Sequence, residues 1–209
     1  MQPSDAITIH GESSEANSCL GQGAAGSVKV YECPLKGKVA RKMIASKNCY
    51  DREKHFLGMC IALKSESLYK FVIDCLAYFH VSDNLFIIDF ELAETDLHKV
   101  AVNVNNAPTG CEQWFPDGSS FDRGITDTLS GLMFLHEHVN VYHNDIKPAN
   151  LLLVKPANGP QIVKIGDMGL CTEMDTGRRS FGTLGYSAPE VYDAQRFNGD
   201  PEERSYAVL

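Results

Sequence analysis

The chain has 209 residues, with 19 lysines and arginines against 27 aspartates and glutamates, a formal charge of −8. At 44% hydrophobic and 22% charged, it holds enough apolar surface to form a core, which excludes disorder over its whole length. The acidic balance argues against a protein built mainly to grip nucleic acid or an anionic membrane.

From the start, residues 1–15 are rich in Ser and Glu and read as a loose lead-in. They lack the basic-then-apolar order of a signal peptide. From Ser18 to about Phe90 the texture is strand-like. Gly26–Cys33 and Lys38–Ile44 alternate apolar and polar positions, as half-buried strands do. Between Lys47 and Leu63 the spacing turns helical, with Tyr50, Phe56/Leu57, Met59/Cys60 and Leu63. Strands are expected again at Phe71–Phe79 and Leu85–Phe90. A short helix is expected at Asp96–Val102, and an Asn/Pro/Gly-rich surface insertion near 103–120 carries the only Trp, Trp114. Ser119-Ser-Phe-Asp122 has capping-box form. It opens a helix expected to place Ile125, Leu129, Leu132, Met133 and Leu135/His136 on one face. Two short strands follow, near Leu151–Val154 and Val163–Ile165, joined by a Pro-Ala-Asn-Gly-Pro turn. The remainder is polar loop.

Seven cysteines, at 19, 33, 49, 60, 75, 111 and 171, form no Cys-x-x-Cys pair. Free buried thiols in a reducing cytosol or nucleus are expected, not a disulfide framework or zinc knuckle. No apolar run approaches the ~18 residues of a membrane-spanning helix, so neither membrane nor nucleic acid is an expected partner.

Four stretches carry chemistry. Gly21-Gln-Gly23-Ala-Ala-Gly26-Ser-Val28 has the form G-x-G-x-x-G-x-V. Glycines without a Cβ let a backbone lie close over phosphate. The alternating strand after Gly26 fits a hairpin cap over a ligand better than the strand–Gly–helix of a dinucleotide site. Lys42, on the next strand, either meets solvent or reaches a phosphate. Glu53, on the following helix, either lies on a solvated face with Asp51, Arg52 and Lys54 or pairs with Lys42. The strongest signal is Tyr142-His-Asn-Asp-Ile-Lys-Pro-Ala-Asn-Leu151, with Asp145, Lys147 and Asn150 at spacing D-x-K-x-x-N. Phosphoryl transfer needs a carboxylate to orient a hydroxyl, a cation for the migrating group and an amide oxygen for a metal. Asp167-Met-Gly169 adds a second carboxylate, and Gly182-Thr-Leu-Gly-Tyr-Ser-Ala-Pro-Glu190 closes the series.

In this order the motifs resemble the protein-kinase family, over roughly residues 16–192. The resemblance implies an α+β, two-lobed fold with ATP in the cleft. A small antiparallel sheet and one helix would form the first lobe (16–92). A mainly helical, incomplete second lobe would follow (93–209), its activation segment at 167–190. It implies that Gly21, Gly23 and Gly26 cover the phosphates, and that Lys42 binds the α- and β-phosphates and pairs with Glu53. Asp145 would act as catalytic base, Lys147 would offset γ-phosphate charge, and Asn150 and Asp167 would hold Mg²⁺. Val28, Ala40 and Leu152 would sandwich adenine, with Glu91 and Ala93 as hinge contacts and Phe90 as gatekeeper. Lys147, and Thr183 bridging Asp145 and Lys147, are similar to Ser/Thr kinases, which implies a protein Ser/Thr hydroxyl as acceptor.

The sequence departs from the family pattern in four places. Asn144 replaces the arginine of His-Arg-Asp, so activity is expected not to depend strongly on phosphorylation of the segment, which contains Thr172, Thr176 and Ser180. Met168 replaces phenylalanine and is expected to fill the apolar stack beside Leu57 and His143. Lys42 and Glu53 stand only eleven apart, with Glu66 the next glutamate. Nineteen residues follow Glu190, too few for the helices that complete the family's second lobe, so a C-terminally truncated domain is expected. The alternatives are a nucleotide-binding pseudokinase or scaffold and, less consistent with residues 182–190, a small-molecule kinase.

Overall fold

The computed structural model describes residues 19–23, 26–105, 121–176, 182–189 and 191. The alternating stretches of the first half form one antiparallel sheet. Its strands are β1 (Cys19–Gly23), β2 (Gly26–Cys33), β3 (Gly37–Ile44), β4 (Cys75–Ser82) and β5 (Leu85–Glu91). Their order is β1-β2-β3-β5-β4. On β3 the alternation sends Ala40, Lys42 and Ile44 to the buried face. Lys42 lies opposite Val28 on one side and Ile88 on the other.

Helix α1 (Lys47–Ala62) is joined to β3 by two residues, and the Ser46 hydroxyl caps it by accepting from Cys49 N. Its buried stripe is Tyr50, Glu53, Phe56, Leu57 and Cys60. Glu53 therefore sits within the apolar face and not on the solvated one. A 3-10 turn, Ser67–Phe71, follows.

The strand expected at Phe71–Phe79 starts later, at Cys75. The run Phe71-Val72-Ile73 is buried for another reason. Ile73 N donates to Ile165 O at 2.9 Å, and Val72 bridges Ile165 in parallel. These apolar residues tie the first half to the second instead of extending β4.

The second half contains β6 (Thr95–Asp96), α2 (Leu97–Asn105) and α3 (Phe121–Met133), the last continued by a π-helical turn, Phe134–His138. Strands β7 (Val141–Tyr142), β8 (Leu151–Val154), β9 (Ile162–Ile165) and β10 (Thr172–Glu173) complete it. β6, β8 and β9 form one sheet, and β7 pairs with β10. Two-residue strands such as β7 and β10 are too short to show periodicity and were not expected. The expected insertion beyond Asn105 and the Ser119 cap lie outside the described residues. Fold class and the ordering of a strand-rich half before a helical one match the expectation.

The face expected of α3 is corrected in part: Leu132 packs against the core and Leu135 is fully buried, as expected, but three others are not. Ile125, Leu129 and Met133 are 45%, 55% and 55% exposed, whereas Asp127 is buried. The cause is close packing. A Cβ on Gly131 would stand 2.8 Å from Ile165 Cδ1 and 2.9 Å from Phe71 O. The helix therefore approaches β9 through its smallest residue. Asp127 reinforces that side, since its carboxylate accepts from Val163 N at 3.0 Å. We expect Gly131→Val to cost about 1–3 kcal/mol by overpacking, while Leu129→Gln stays within about 0.5 kcal/mol. Urea unfolding of the two variants checks the order, and the reverse order would refute this packing.

Candidate functional site

Two polar clusters lie where the halves meet. In the first, Lys42 Nζ is 2.9 and 2.8 Å from the two carboxylate oxygens of Glu53 and 2.8 Å from Asp167 Oδ1. Lys42 and Glu53 are 7% and 1% exposed. A buried charge is tolerated only when paired and hydrogen-bonded. Burial opposes the charge on Lys42, but the attraction of Glu53 and Asp167 outweighs it and holds its pKa above the ordinary lysine value. Burial likewise pushes the Glu53 carboxyl up, against the pull of Lys42. The eleven-residue spacing therefore does bring Glu53 to Lys42. Glu66 lies elsewhere, 3.9 Å from His138.

The second cluster centres on Asp145. Its Oδ1 accepts from Thr183 N at 2.9 Å and Thr183 Oγ1 at 2.7 Å. Its Oδ2 accepts from Asn150 Nδ2 at 3.0 Å and meets Lys147 Nζ at 2.7 Å. Lys147 also donates to Thr183 Oγ1 at 2.6 Å. Burial alone would raise the Asp145 pKa, but Lys147 and Thr183 outweigh it and hold the carboxyl below its ordinary value. Asp167 is held low in the same way: burial is outweighed by Lys42 and by the Gly169 amide.

His143 joins the clusters. Its Nε2 lies 2.9 Å from Gly166 O, and Asp145 N donates to its Nδ1 at 3.2 Å. Since Nδ1 accepts, the proton belongs on Nε2, which donates to the carbonyl. Burial lowers the His143 pKa, so the ring is neutral. Gly166 N in turn donates to Asn150 O at 2.9 Å. That bond places Asn150 beside the residue preceding Asp167. Asn150 commits its amide nitrogen to Asp145 O and Oδ2, so its side-chain oxygen is the atom suited to a cation. Among the described residues no group of three His, Cys, Asp or Glu could form an all-protein metal cage. One carboxylate and one amide oxygen fit a Mg²⁺ that arrives on phosphates.

The β1–β2 hairpin carries Gly21, Gly23 and Gly26, with Gly23 opposite Gly26 and Gly21 opposite Val28. At Gly26, φ is 143° and a Cβ would stand 2.0 Å from Met43 O, so only glycine fits. Gly21 borders open space. Val28 and Leu152 are half-buried against the core that contains Ala40 and Phe90. At the hinge, Glu91 spends its side chain on Asp74 N at 2.7 Å and on Lys164, and its amide donates to Asp74 O at 3.0 Å. Ala93 makes no backbone hydrogen bond to another described residue. Met168 is fully buried in the same core as Leu57, with its sulfur 3.5 Å from Cys171 Sγ. Glu190 lies outside the described residues.

Sequence reasoning missed three residues. Asp96 caps α2 by accepting from Lys99 N. The Lys99 ammonium donates to Leu20 O at 3.0 Å, linking α2 to the glycine hairpin. Lys164 pairs with Glu91 across the halves. Asp96 before a helical run was a readable cap signal, but nothing local announces the two lysine contacts. The six described cysteines are free thiols. Burial raises Cys60 to about 12 and Cys75 to about 11, leaving them unreactive. No described helix is long and apolar enough to cross a membrane.

A family model described as the protein kinase domain matches residues 14–203. A dual specificity protein kinase of Dictyostelium discoideum is 28% identical over 91% of this chain and 26% of its own length. A stress-activated protein kinase alpha of the same organism is 29% identical over 90% of the chain and 28% of its own length. A probable LRR receptor-like serine/threonine-protein kinase of Arabidopsis thaliana is 30% identical over 82% of the chain and 17% of its own length. The chain thus spans less than a third of the length of these curated relatives. The match over nearly the whole sequence, on a fold that brings the sequence motifs into two adjoining polar clusters, places the chain in the protein kinase family.

Proposed function

We propose that this chain is a Ser/Thr protein kinase domain that transfers the γ-phosphoryl group of ATP to a protein hydroxyl. The observation that carries this reading is the Asp145 cluster. A single carboxylate is aimed by Asn150 and Lys147 and bridged by the Thr183 hydroxyl. Family membership supports a protein substrate and the use of ATP with Mg²⁺. The names of the relatives support Ser/Thr acceptors and, for one, dual specificity.

Asp145 orients the acceptor hydroxyl more than it pulls off the proton early, since its depressed pKa makes it a weak base. Lys147 stands beside it and balances negative charge on the moving phosphoryl group. Lys42 has three N–H groups, all engaged with Glu53 and Asp167. The one given to Asp167 is the one a phosphate oxygen takes over, because Asp167 is 40% exposed while Glu53 is sealed at 1%. Asp167 and Asn150 would hold Mg²⁺, which when bound neutralises charge on the phosphates. Val28, Ala40 and Leu152 would flank the base, and Ala93, whose main chain bonds no other described residue, would offer it an amide and a carbonyl. Of the six described thiols, Cys60, Cys75 and Cys171 are buried, which supports a reducing compartment, cytosol or nucleus.

Transfer from γ-labelled ATP to a generic basic protein tests the reading. We expect Asp145→Asn to lower kcat by about 10²–10⁴-fold, and Glu53→Gln to raise KM for ATP. Mg²⁺–ATP binding with no transfer by the wild-type chain would overturn it in favour of a nucleotide-binding pseudokinase.

The charge state of Asp145 has its own test. Its folded pKa lies below the ordinary 3.8, so its contribution to stability is present above that value and is lost as pH falls through the folded one. The difference in Tm between wild type and Asp145→Asn is therefore expected to shrink below pH 3.8. A difference that stays constant to lower pH would show that the carboxylate is not held low.

A further inference from the structure

Asn144, the residue before Asp145, has φ 63°, in the left-handed region that asparagine tolerates better than most residues. This turn swings its side chain away from the Asp145 cluster and onto the chain that follows Asp167. Its Nδ2 donates to Leu170 O at 2.9 Å and to Thr172 Oγ1 at 2.9 Å, with Tyr142 O further off at 3.3 Å. An amide nitrogen has two hydrogens, so the two short contacts account for both. The Asn144 main chain meets the same segment on its return. A Cβ on Gly182 would stand 2.2 Å from Asn144 O, and the next residue is Thr183, bonded to Asp145. One residue thus touches the outgoing and the returning ends of segment 167–190.

The grip on the outgoing end is extended by pairing. Thr172 and Glu173 lie opposite Tyr142 and Val141, and Met174 N donates to Asn140 O at 3.0 Å. Among the described residues, the charged groups paired at this end are acidic, apart from one histidine. Glu173 lies 3.2 Å from His55 on α1, and Asp175 accepts from Asn140 Nδ2. Residues 170–176 contain no lysine or arginine.

We propose that Asn144 is a positioning residue for phosphoryl transfer, an uncharged clamp that fixes the path of the chain from Leu170 and hence the placement of Thr183 relative to Asp145, and that negative charge at Thr172 opens it. The inference rests on the kinase reading above. The clamp works through donors without charge. Among the described residues, a carboxylate or phosphate at Thr172 has Glu173 and Asp175 as chain neighbours and no guanidinium or ammonium paired at this end to meet it. Charge on this threonine is therefore an off-signal. The nucleotide side is left alone, because among the described residues the Asn144 side chain bonds to Tyr142, Leu170 and Thr172 and not to Lys42, Glu53 or the hinge.

The test compares purified full-length variants. Asn144→Gly keeps the left-handed backbone and removes both donors. Asn144→Asp keeps the shape but turns an oxygen toward the carbonyls of Leu170 and Tyr142. We expect both to lower kcat about tenfold, the size of two modest hydrogen bonds lost together, while KM for ATP stays within about twofold. Thr172→Glu should slow turnover similarly. Adding Thr172→Val to Asn144→Gly should cost little more, because the shared contact is lost only once.

Amide exchange supplies a readout independent of activity. Asn144→Gly should speed exchange at Cys171–Glu173 about tenfold and leave Phe56–Cys60 in α1 unchanged. Wild-type kcat in Asn144→Gly, a rate increase in Thr172→Glu, or unaltered exchange at Cys171–Glu173 would each overturn the clamp. A wild-type chain that binds Mg²⁺–ATP without transfer, yet shows the faster exchange in the variant, would sink the kinase reading and leave the clamp standing.

Discussion

The buried contact of Lys42 with Glu53 and Asp167 sets the terms for everything around it. An ammonium removed from water has to be met by carboxylates at hydrogen-bonding distance, and removing one partner of such a group strands a buried charge. The three residues come from β3, α1 and the turn after β9, so the contact exists only when sheet, helix and second half are all in place. The chain secures this on the helix side with a two-residue connection. β3 ends at Ile44, Ser46 caps the helix, and Glu53 falls on the same face as Tyr50, Phe56, Leu57 and Cys60. On the other side, fully buried Met168 seats the turn that carries Asp167. Apolar packing keeps the ions dry, and the ions decide where the helix sits.

The same turn is wired to the Asp145 cluster by neutral groups. His143 accepts from the Asp145 amide and donates to the Gly166 carbonyl, and Gly166 N closes the ring on Asn150 O. A protonated imidazole would have no acceptor on Nδ1 and would face a donor there. Burial, which keeps the ring neutral, is therefore a condition of the geometry and not an accident of packing. The separation between the two carboxylates is thus set by short main-chain paths and one ring, none of which bends at low cost.

Much of this was legible from the residues. The strands β2 and β3 and helix α1 announce themselves by period, and the motif spacing picked out Lys42, Asp145, Lys147, Asn150, Asp167 and Thr183 before their contacts were seen. Glu53 was ambiguous because Asp51, Arg52 and Lys54 surround it. Yet the spacing Tyr50, Glu53, Leu57, Cys60 places it on the apolar stripe, and a lone carboxylate there demands a cation. The misreading of α3 has a different source. Periodicity counts Ile125, Leu129 and Met133 as the inner face, but Gly131 allows an approach that apolar side chains would block, and proximity wins over hydrophobicity. The contacts of Asn144, Lys99 and Lys164 join residues 26 or more positions apart, and no local pattern encodes such pairs.

Those long-range pairs also divide the interface between the halves into unequal edges. Behind the hinge, Ile73 is bonded to Ile165, and Glu91 joins Asp74 to Lys164. Asp74 also takes Lys64 at 2.8 Å and Tyr69 at 2.7 Å. Most of these groups are buried or partly buried, and several are main-chain atoms that cannot move alone. At the mouth, the glycine hairpin is held to α2 by Lys99, whose side chain is 50% exposed. A contact of that kind is screened by water and costs little to break. Any relative motion of the halves would therefore meet less resistance at the mouth than at the back edge. The buried Lys42 would then travel with the half that carries it, away from Asp167. The ion contact on which the fold depends would be strained by such an opening, and negative charge brought to Lys42 would restore what opening takes away.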